Sequence, residues 1–365
     1  MSARAWLLAA VVLASACGGA RKSADTPKLP PARPEAVSKM AQAVQAAREA
    51  QGKQRALGLF EQAVRADTQL WEARYNLGVL HAEIGNLARA ERELAEAQKL
   101  APNAEDVAIA LAEVRRRRRD REGAIAALEP FVARHPEAAL APIALMTALR
   151  EGGKVEAAIA LAHRVLARRA NDPYALAELA LSHLERGETD TAELLVKEAL
   201  KADAKSAVAE RTAGLVALKR GDDAIAFRHF ARASELDPRD TTARLNIGTV
   251  LLQAGVYAGA AEHFRAVHDA DPDDVAATLG LAAARRGLAK KDDAAAFAEV
   301  EKLLRSVLEK QPGNLAATFN LALLYADHLR RPADATPLFQ RFLDEAPKTH
   351  PARAEAERRL SAEKK

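Results

Sequence analysis

Cysteine is almost absent from this chain of 365 residues, with Cys17 the single example. One cysteine excludes an intrachain disulfide and any metal site built from several thiolates. Aromatic residues make up only 4%, and glycine and proline number 18 and 16. Strands draw on β-branched and aromatic side chains, so this scarcity argues against an all-β fold. Charge of one sign is lacking too, because 54 Lys and Arg stand against 50 Asp and Glu. A net charge of +4 over this length is not the footprint of a nucleic-acid binder, even with an isoelectric point near 9.1. No apolar run reaches the roughly 20 residues of a membrane-spanning helix. What abounds is alanine, 87 residues in all. Alanine loses no side-chain entropy in a helix, so the composition implies an all-α protein.

From Ala5 to Ala16 the sequence carries no charge, and Arg4 precedes it. That is the cationic start, apolar middle and small-residue exit of a secretory signal, which assigns residues 1–16 to export. Leu13-Ala14-Ser15-Ala16-Cys17 resembles a bacterial lipobox, in which the cysteine receives diacylglycerol, although Leu here stands one position further back than usual. Ala14-Ser15-Ala16 also forms an A-x-A site for ordinary signal cleavage at the same bond. The two products are a lipid-anchored protein and a soluble periplasmic or secreted one. Residues 17–36 carry Pro27, Pro30, Pro31 and Pro34 among Lys, Arg and Ser, and read as an extended tether. In the lipoproteins this segment resembles, Gly18-Gly19 after the cysteine implies the outer membrane, with the folded body facing the periplasm.

A repeat fills the rest. Alanine recurs at Ala56, Ala90, Ala124, Ala158, Ala192, Ala226 and Ala260, always 34 residues apart. Gly85, Gly153, Gly187, Gly221 and Gly255 keep one phase of that period, and Pro102, Pro136, Pro238 and Pro272 keep another. Each unit reads as two amphipathic helices, the first closed by glycine and the second by proline. These residues resemble the tetratricopeptide repeat (TPR), a helix–turn–helix unit of 34 residues. Leu77, Gly78, Ala90, Ala97 and Pro102 match its pattern in the second unit, and Ile247, Gly248, Ala260, Phe264 and Pro272 match in the seventh. The resemblance implies a right-handed α-solenoid of nine units over residues 37–349, starting at 37, 71, 105, 139, 173, 207, 241, 275 and 315. The eighth unit carries six extra residues around Arg285–Phe297, and the ninth holds Pro332 and Pro337. Residues 350–365 read as a charged capping helix, which a solenoid end needs to cover its last apolar face.

No glycine-rich phosphate loop, H-E-x-x-H or G-x-S-x-G stands in the sequence, so no catalysis, small-molecule substrate or cofactor is expected. His81 and His183 share position 11 of their units, where a ring packs between helices. His229 and His263 share position 23 without a third recurring ligand, and read as structural or surface histidines. Arg115, Arg116, Arg117, Arg118 and Arg119 end the first helix of the third unit, replacing the glycine of that phase. One reading is a solvated helix end whose cations complement the macrodipole. The other is a basic patch that grips phosphate groups or an acidic partner. Through it the protein would regulate or adapt a cell-wall synthesis or polysaccharide export system.

In TPR proteins, positions 2, 5, 9 and 12 of each unit line a concave groove. Here positions 5 and 9 carry Tyr75, Val79, Ile109, Ile143, Leu181, Leu215, Leu245, Thr249 and Phe319, with Arg211 interrupting. Residues four apart share a helix face, so these form an apolar stripe suited to an amphipathic helix or apolar peptide. The stripe lacks the Lys and Asn of the carboxylate clamp in chaperone-binding TPRs. The alternative is that tight winding buries it. The resemblance as a whole implies a scaffold for protein partners, held to the membrane by its lipid. It is similar to TPR lipoproteins of type IV pilus assembly and of myxobacterial gliding motility.

Overall fold

The computed structural model describes residues 31–49, 51–291 and 293–362. The export segment, Cys17 and the tether up to residue 30 lie outside the described residues. Among these the secondary structure is nineteen helices and no strand, an all-α repeat fold. No described helix is long and apolar enough to cross a membrane.

The chain divides into two compact units, Met1–Val216 and Ala217–Lys365. The first holds α1 (Pro34–Ala47), α2 (Lys53–Ala66), α3 (Trp71–Glu83), α4 (Leu87–Leu100), α5 (Glu105–Arg117), α6 (Arg121–Arg134), α7 (Ala141–Glu151), α8 (Val155–Arg168), α9 (Pro173–Glu185) and α10 (Thr189–Ala202). The division falls within α11 (Ala207–Arg220). The second unit holds α12 (Asp223–Leu236), α13 (Thr241–Gln253), α14 (Tyr257–Ala270), α15 (Val275–Leu288), α16 (Ala294–Lys310), α17 (Leu315–Asp327), α18 (Pro332–Glu345) and α19 (Arg353–Ala362).

The sequence period has a direct structural cause. Gly85, Gly153, Gly187, Gly221 and Gly255 all have φ between +74° and +83°, the left-handed conformation that ends a helix and turns the chain back. The residue after each donates its backbone N–H to the carbonyl five positions before it, at 2.8–2.9 Å. Asn86 to His81 and Val256 to Leu251 are examples. Arg119 stands at the same phase with φ 63° and makes the same turn, with Asp120 donating to Arg115 at 2.9 Å. A side chain in that region costs about 1 kcal/mol relative to glycine. The alanines in phase are no less determined. All seven, from Ala56 to Ala260, are 0–1% exposed, because the two helices of a pair cross there. At Gly78 a Cβ would lie 2.7 Å from Leu94 Cγ and 3.1 Å from the Ala90 carbonyl, so only glycine fits.

Three departures from the repeat take physical form. First, α1 begins at Pro34, inside the segment expected as tether, and Ala36 is fully buried. Arg33 donates its backbone N–H to Asp67 Oδ2 at 2.9 Å, which fixes the chain at the helix entrance. Second, the insertion in the eighth unit lengthens α16 to 17 residues, against 14 in α14 and α18. Third, Pro337 lies inside α18, and the turn before that helix uses Arg330 at φ 52°.

Candidate interaction surfaces

In the first unit α3, α5, α7 and α9 touch in sequence, each against the next. That succession decides how much of the predicted stripe faces water. Tyr75, Val79 and Leu181 are only 7%, 4% and 8% exposed. Contrary to the expected groove, these three are core residues and do not line a surface open to a partner. Tyr75 and Val79 join Val107, Ala108 and Leu111 of the next first helix in one hydrophobic cluster. Ile109, Ile143, Arg211 and Leu215 are half-buried, and Ile109 and Ile143 pack their inner edges on the same core.

In the second unit Leu245 is half-buried and Thr249 exposed, with the Thr249 hydroxyl donating to the Leu245 carbonyl at 2.9 Å. Phe319 is half-buried too, but its ring lies 4.9 Å from Phe342 and 6.0 Å from Phe339, centroid to centroid. Most of its area is therefore committed to the core of α17 and α18.

Polar groups that the apolar pattern did not bring out lie at neighbouring positions of the same helices. Burial pushes the Glu72 and Asp106 carboxyls above the ordinary carboxylate range. Burial, reinforced by the negative charge of Asp106, raises the Tyr75 phenol to about 12. The folded-state value thus exceeds the free value of about 10. Its contribution to stability is complete below pH 10 and is lost as pH rises from 10 through 12. Titrating tyrosinate absorbance in the protein and in Tyr75→Phe checks this. The difference curve is expected to rise near pH 12, and a rise near pH 10 would contradict the buried placement.

Two arginines at position 12 of their units form ion pairs across helices. Arg116 bonds Glu113 through Nε at 2.8 Å and Nη2 at 3.0 Å, and reaches Glu151 at 3.4 Å. Arg150 bonds Glu178 at 3.1 Å and Glu185 at 2.6 Å. Burial alone would lower both guanidinium pKa values, and the carboxylates outweigh it and raise them. The signal existed in the sequence, since Arg116 to Glu151 and Arg150 to Glu185 repeat one spacing.

In the second unit the corresponding Arg286 meets a different environment. It lines a shallow notch with Leu279, Ala282, Ala283, Val300, Leu304 and Asn320. Its Nη1 donates to Asn320 Oδ1 at 3.2 Å. Burial lowers its pKa, against the opposing pull of Asp327 and Tyr257.

The arginine run 115–119 is largely occupied within the chain. Arg115 bonds Glu91 and the Gly123 carbonyl, Arg117 bonds the Ala82 carbonyl, and Arg118 pairs with Glu91. With Arg116 also paired, four of the five arginines have partners within the chain, which favours the solvated helix end over the basic patch. The histidines are dispersed. His81 is buried with its Nδ1 unpartnered, and burial followed by Arg89 holds its pKa below the usual value. His183 Nδ1 lies 2.6 Å from Glu188. Among the described residues no group of three or more His, Cys, Asp or Glu could hold a metal ion.

No curated protein matches this chain. Among solved structures, the Cut9-Hcn1 hetero-tetramer of the APC/C is similar over 86% of this chain, with 16% identity and a TM-score of 0.60. This chain spans 59% of that one, and the likeness is one of fold alone. PilW, a widely conserved type IV pilus biogenesis factor, aligns with 60% of this chain and 100% of its own, at 18% identity and TM-score 0.47. YrrB, a TPR protein with an unusual peptide-binding site, aligns with 52% and 95% at 20% identity and TM-score 0.37. The sequence pattern described as tetratricopeptide repeat matches residues 42–105, 143–207, 211–275 and 297–349, well over half of the chain. With its paired helices and recurring left-handed turns, the chain belongs to the tetratricopeptide repeat family, a scaffold fold for contacts between proteins.

Proposed function

We propose that this protein is an envelope scaffold, anchored by lipid at Cys17 in the outer membrane and holding segments of partner proteins on its first-helix faces. In that role it assembles or stabilises a multiprotein machine of the pilus or gliding kind. The anchor and the process rest on the sequence alone, through the lipobox-like run ending at Cys17 and the resemblance to TPR lipoproteins. The observation that carries the binding role is the pair Ile109 and Ile143. They occupy the same position of adjacent units on α5 and α7, which touch, and both keep part of their aliphatic surface in water. Leu215 and Leu245 repeat the feature, each within its own unit. Recurring exposed apolar area that a monomer does not cover favours contact with an apolar peptide or helix face.

Crosslinking in cells tests the surface. Ile109→Asp combined with Ile143→Asp is expected to reduce partner capture at least tenfold while far-ultraviolet dichroism stays unchanged. The milder pair Ile109→Ala and Ile143→Ala covers the case in which buried carboxylates disturb the fold. Undiminished capture by a folded double variant overturns the binding face. The mass of the mature N-terminus decides the anchor separately, since diacylglycerol on Cys17 and a free thiol differ by a whole lipid.

A further inference from the structure

Position 12 holds an arginine in four units; Arg48 of the first is exposed, and the partners of Arg116, Arg150 and Arg286 differ in an informative way. Arg150 is neutralised by two carboxylates of the next unit, Glu178 at position 6 and Glu185 at position 13. Arg116 uses Glu113 of its own helix and Glu151 at position 13 of the next unit. For Arg286 the same two places in the next unit hold Asn320 and Asp327. Asn320 is uncharged and accepts one hydrogen bond from it. Asp327 is taken by α19, where Arg359 Nη2 bonds its Oδ2 at 3.1 Å and Arg359 Nη1 bonds its Oδ1. Arg286 is therefore left half-buried, with no carboxylate at ion-pairing distance among the described residues.

A guanidinium has five N–H donors in a planar fork. In Arg286 one of these is used, and apolar Leu279, Ala283 and Leu304 flank the notch. Asn320 donates its own amide to the Ala316 carbonyl at 2.9 Å, which fixes its oxygen toward Arg286 and so orients the guanidinium. A partly desolvated cation beside apolar surface favours a charge-assisted, bidentate contact with an incoming carboxylate.

We propose that Arg286, oriented by Asn320, is a binding site for an aspartate or glutamate side chain of a partner peptide whose apolar neighbours rest on Leu279 and Ala283. The occupant supplies in trans the carboxylate that Glu178 supplies to Arg150 in cis. This deepens the scaffold reading and rests on it, because it names the chemistry of the segment bound by the second unit.

The probe is the amidated peptide acetyl-Ala-Leu-Asp-Leu-Ala, with the Asn peptide as control. The full chain, labelled with ¹⁵N-arginine, is titrated with each while the Arg286 Nε–H signal is followed, assigned by its absence in R286Q. The Asp peptide is expected to shift this signal saturably, with a dissociation constant at least tenfold below that of the Asn peptide. N320E rebuilds the internal pair of Arg150. It should move the signal before any peptide is added and weaken Asp-peptide binding at least tenfold, with thermal stability equal or higher. N320A retains the cation without its orienting bond and should weaken binding several-fold. Equal affinity for the two peptides overturns the carboxylate site while leaving the scaffold reading intact. Absence of a saturable shift, or full binding by folded N320E, also overturns the site.

Discussion

Gly280→Val is expected to destabilise the second unit by about 3 kcal/mol, through overpacking of a closely filled crossing. A Cβ on Gly280 of α15 would fall closer than 3.0 Å to three carbons of the Phe264 ring, and one on Gly248 of α13 would meet the same ring at 2.9–3.1 Å. Phe264 itself is 3% exposed. Its ring is thus clamped between two helices that approach only because neither bears a side chain there. Removing the ring by Phe264→Ala should cost roughly 3–5 kcal/mol for lost transfer energy and the cavity. With the ring gone, the added valine has room. In the Phe264→Ala background Gly280→Val should therefore cost less than about 1 kcal/mol, a strong departure from additivity. Urea unfolding of the four proteins measures the cycle, and additive losses would refute the clamp.

Arg150→Met is the second large effect. Glu178 has only 8% of its side chain exposed, so loss of its cation leaves a charge with little access to water. Breaking such a pair from one side costs about 3 kcal/mol. Arg116→Met should cost less than about 1 kcal/mol, because Glu113 and Glu151 retain 28% and 31% exposure and water replaces the guanidinium. Exchanging both partners, Arg150→Met with Glu178→Leu, should recover most of the loss. The comparison is made by denaturant midpoints, and equal losses for Arg116→Met and Arg150→Met would refute the role given to burial.

What the sequence made legible is what a single residue type at a fixed interval encodes. The glycines at Gly85, Gly153, Gly187, Gly221 and Gly255 announce left-handed helix ends, and the structure has them. The alanines from Ala56 to Ala260 announce helix crossings, and all are buried. Arg119 shows why the pattern is looser than the geometry, since the turn forms at a modest cost even without glycine. Gly280 shows the opposite limit. It lies outside the repeat's glycine phase, and only the position of the Phe264 ring reveals that it is required.

The candidate surface was less legible, because periodicity reports which side of a helix a residue occupies and not what covers it. Tyr75 and Ile109 occupy equivalent positions in adjacent units, yet the first is buried and the second half-buried. The state of Arg286 was hidden for a related reason. It depends on Asp327 being claimed by Arg359, 32 residues further along, and no local motif connects those three residues.

Within each unit the helices make their contacts with elements one or two places along the chain, as α13 does with α14 and α15. Closing such short loops is entropically cheap, so folding should be rapid and able to begin at more than one place. Loss of structure should spread inward from the weakest pair instead of sweeping the chain in one step. A single melting temperature would then average over several local transitions, and hydrogen exchange followed helix by helix would resolve them.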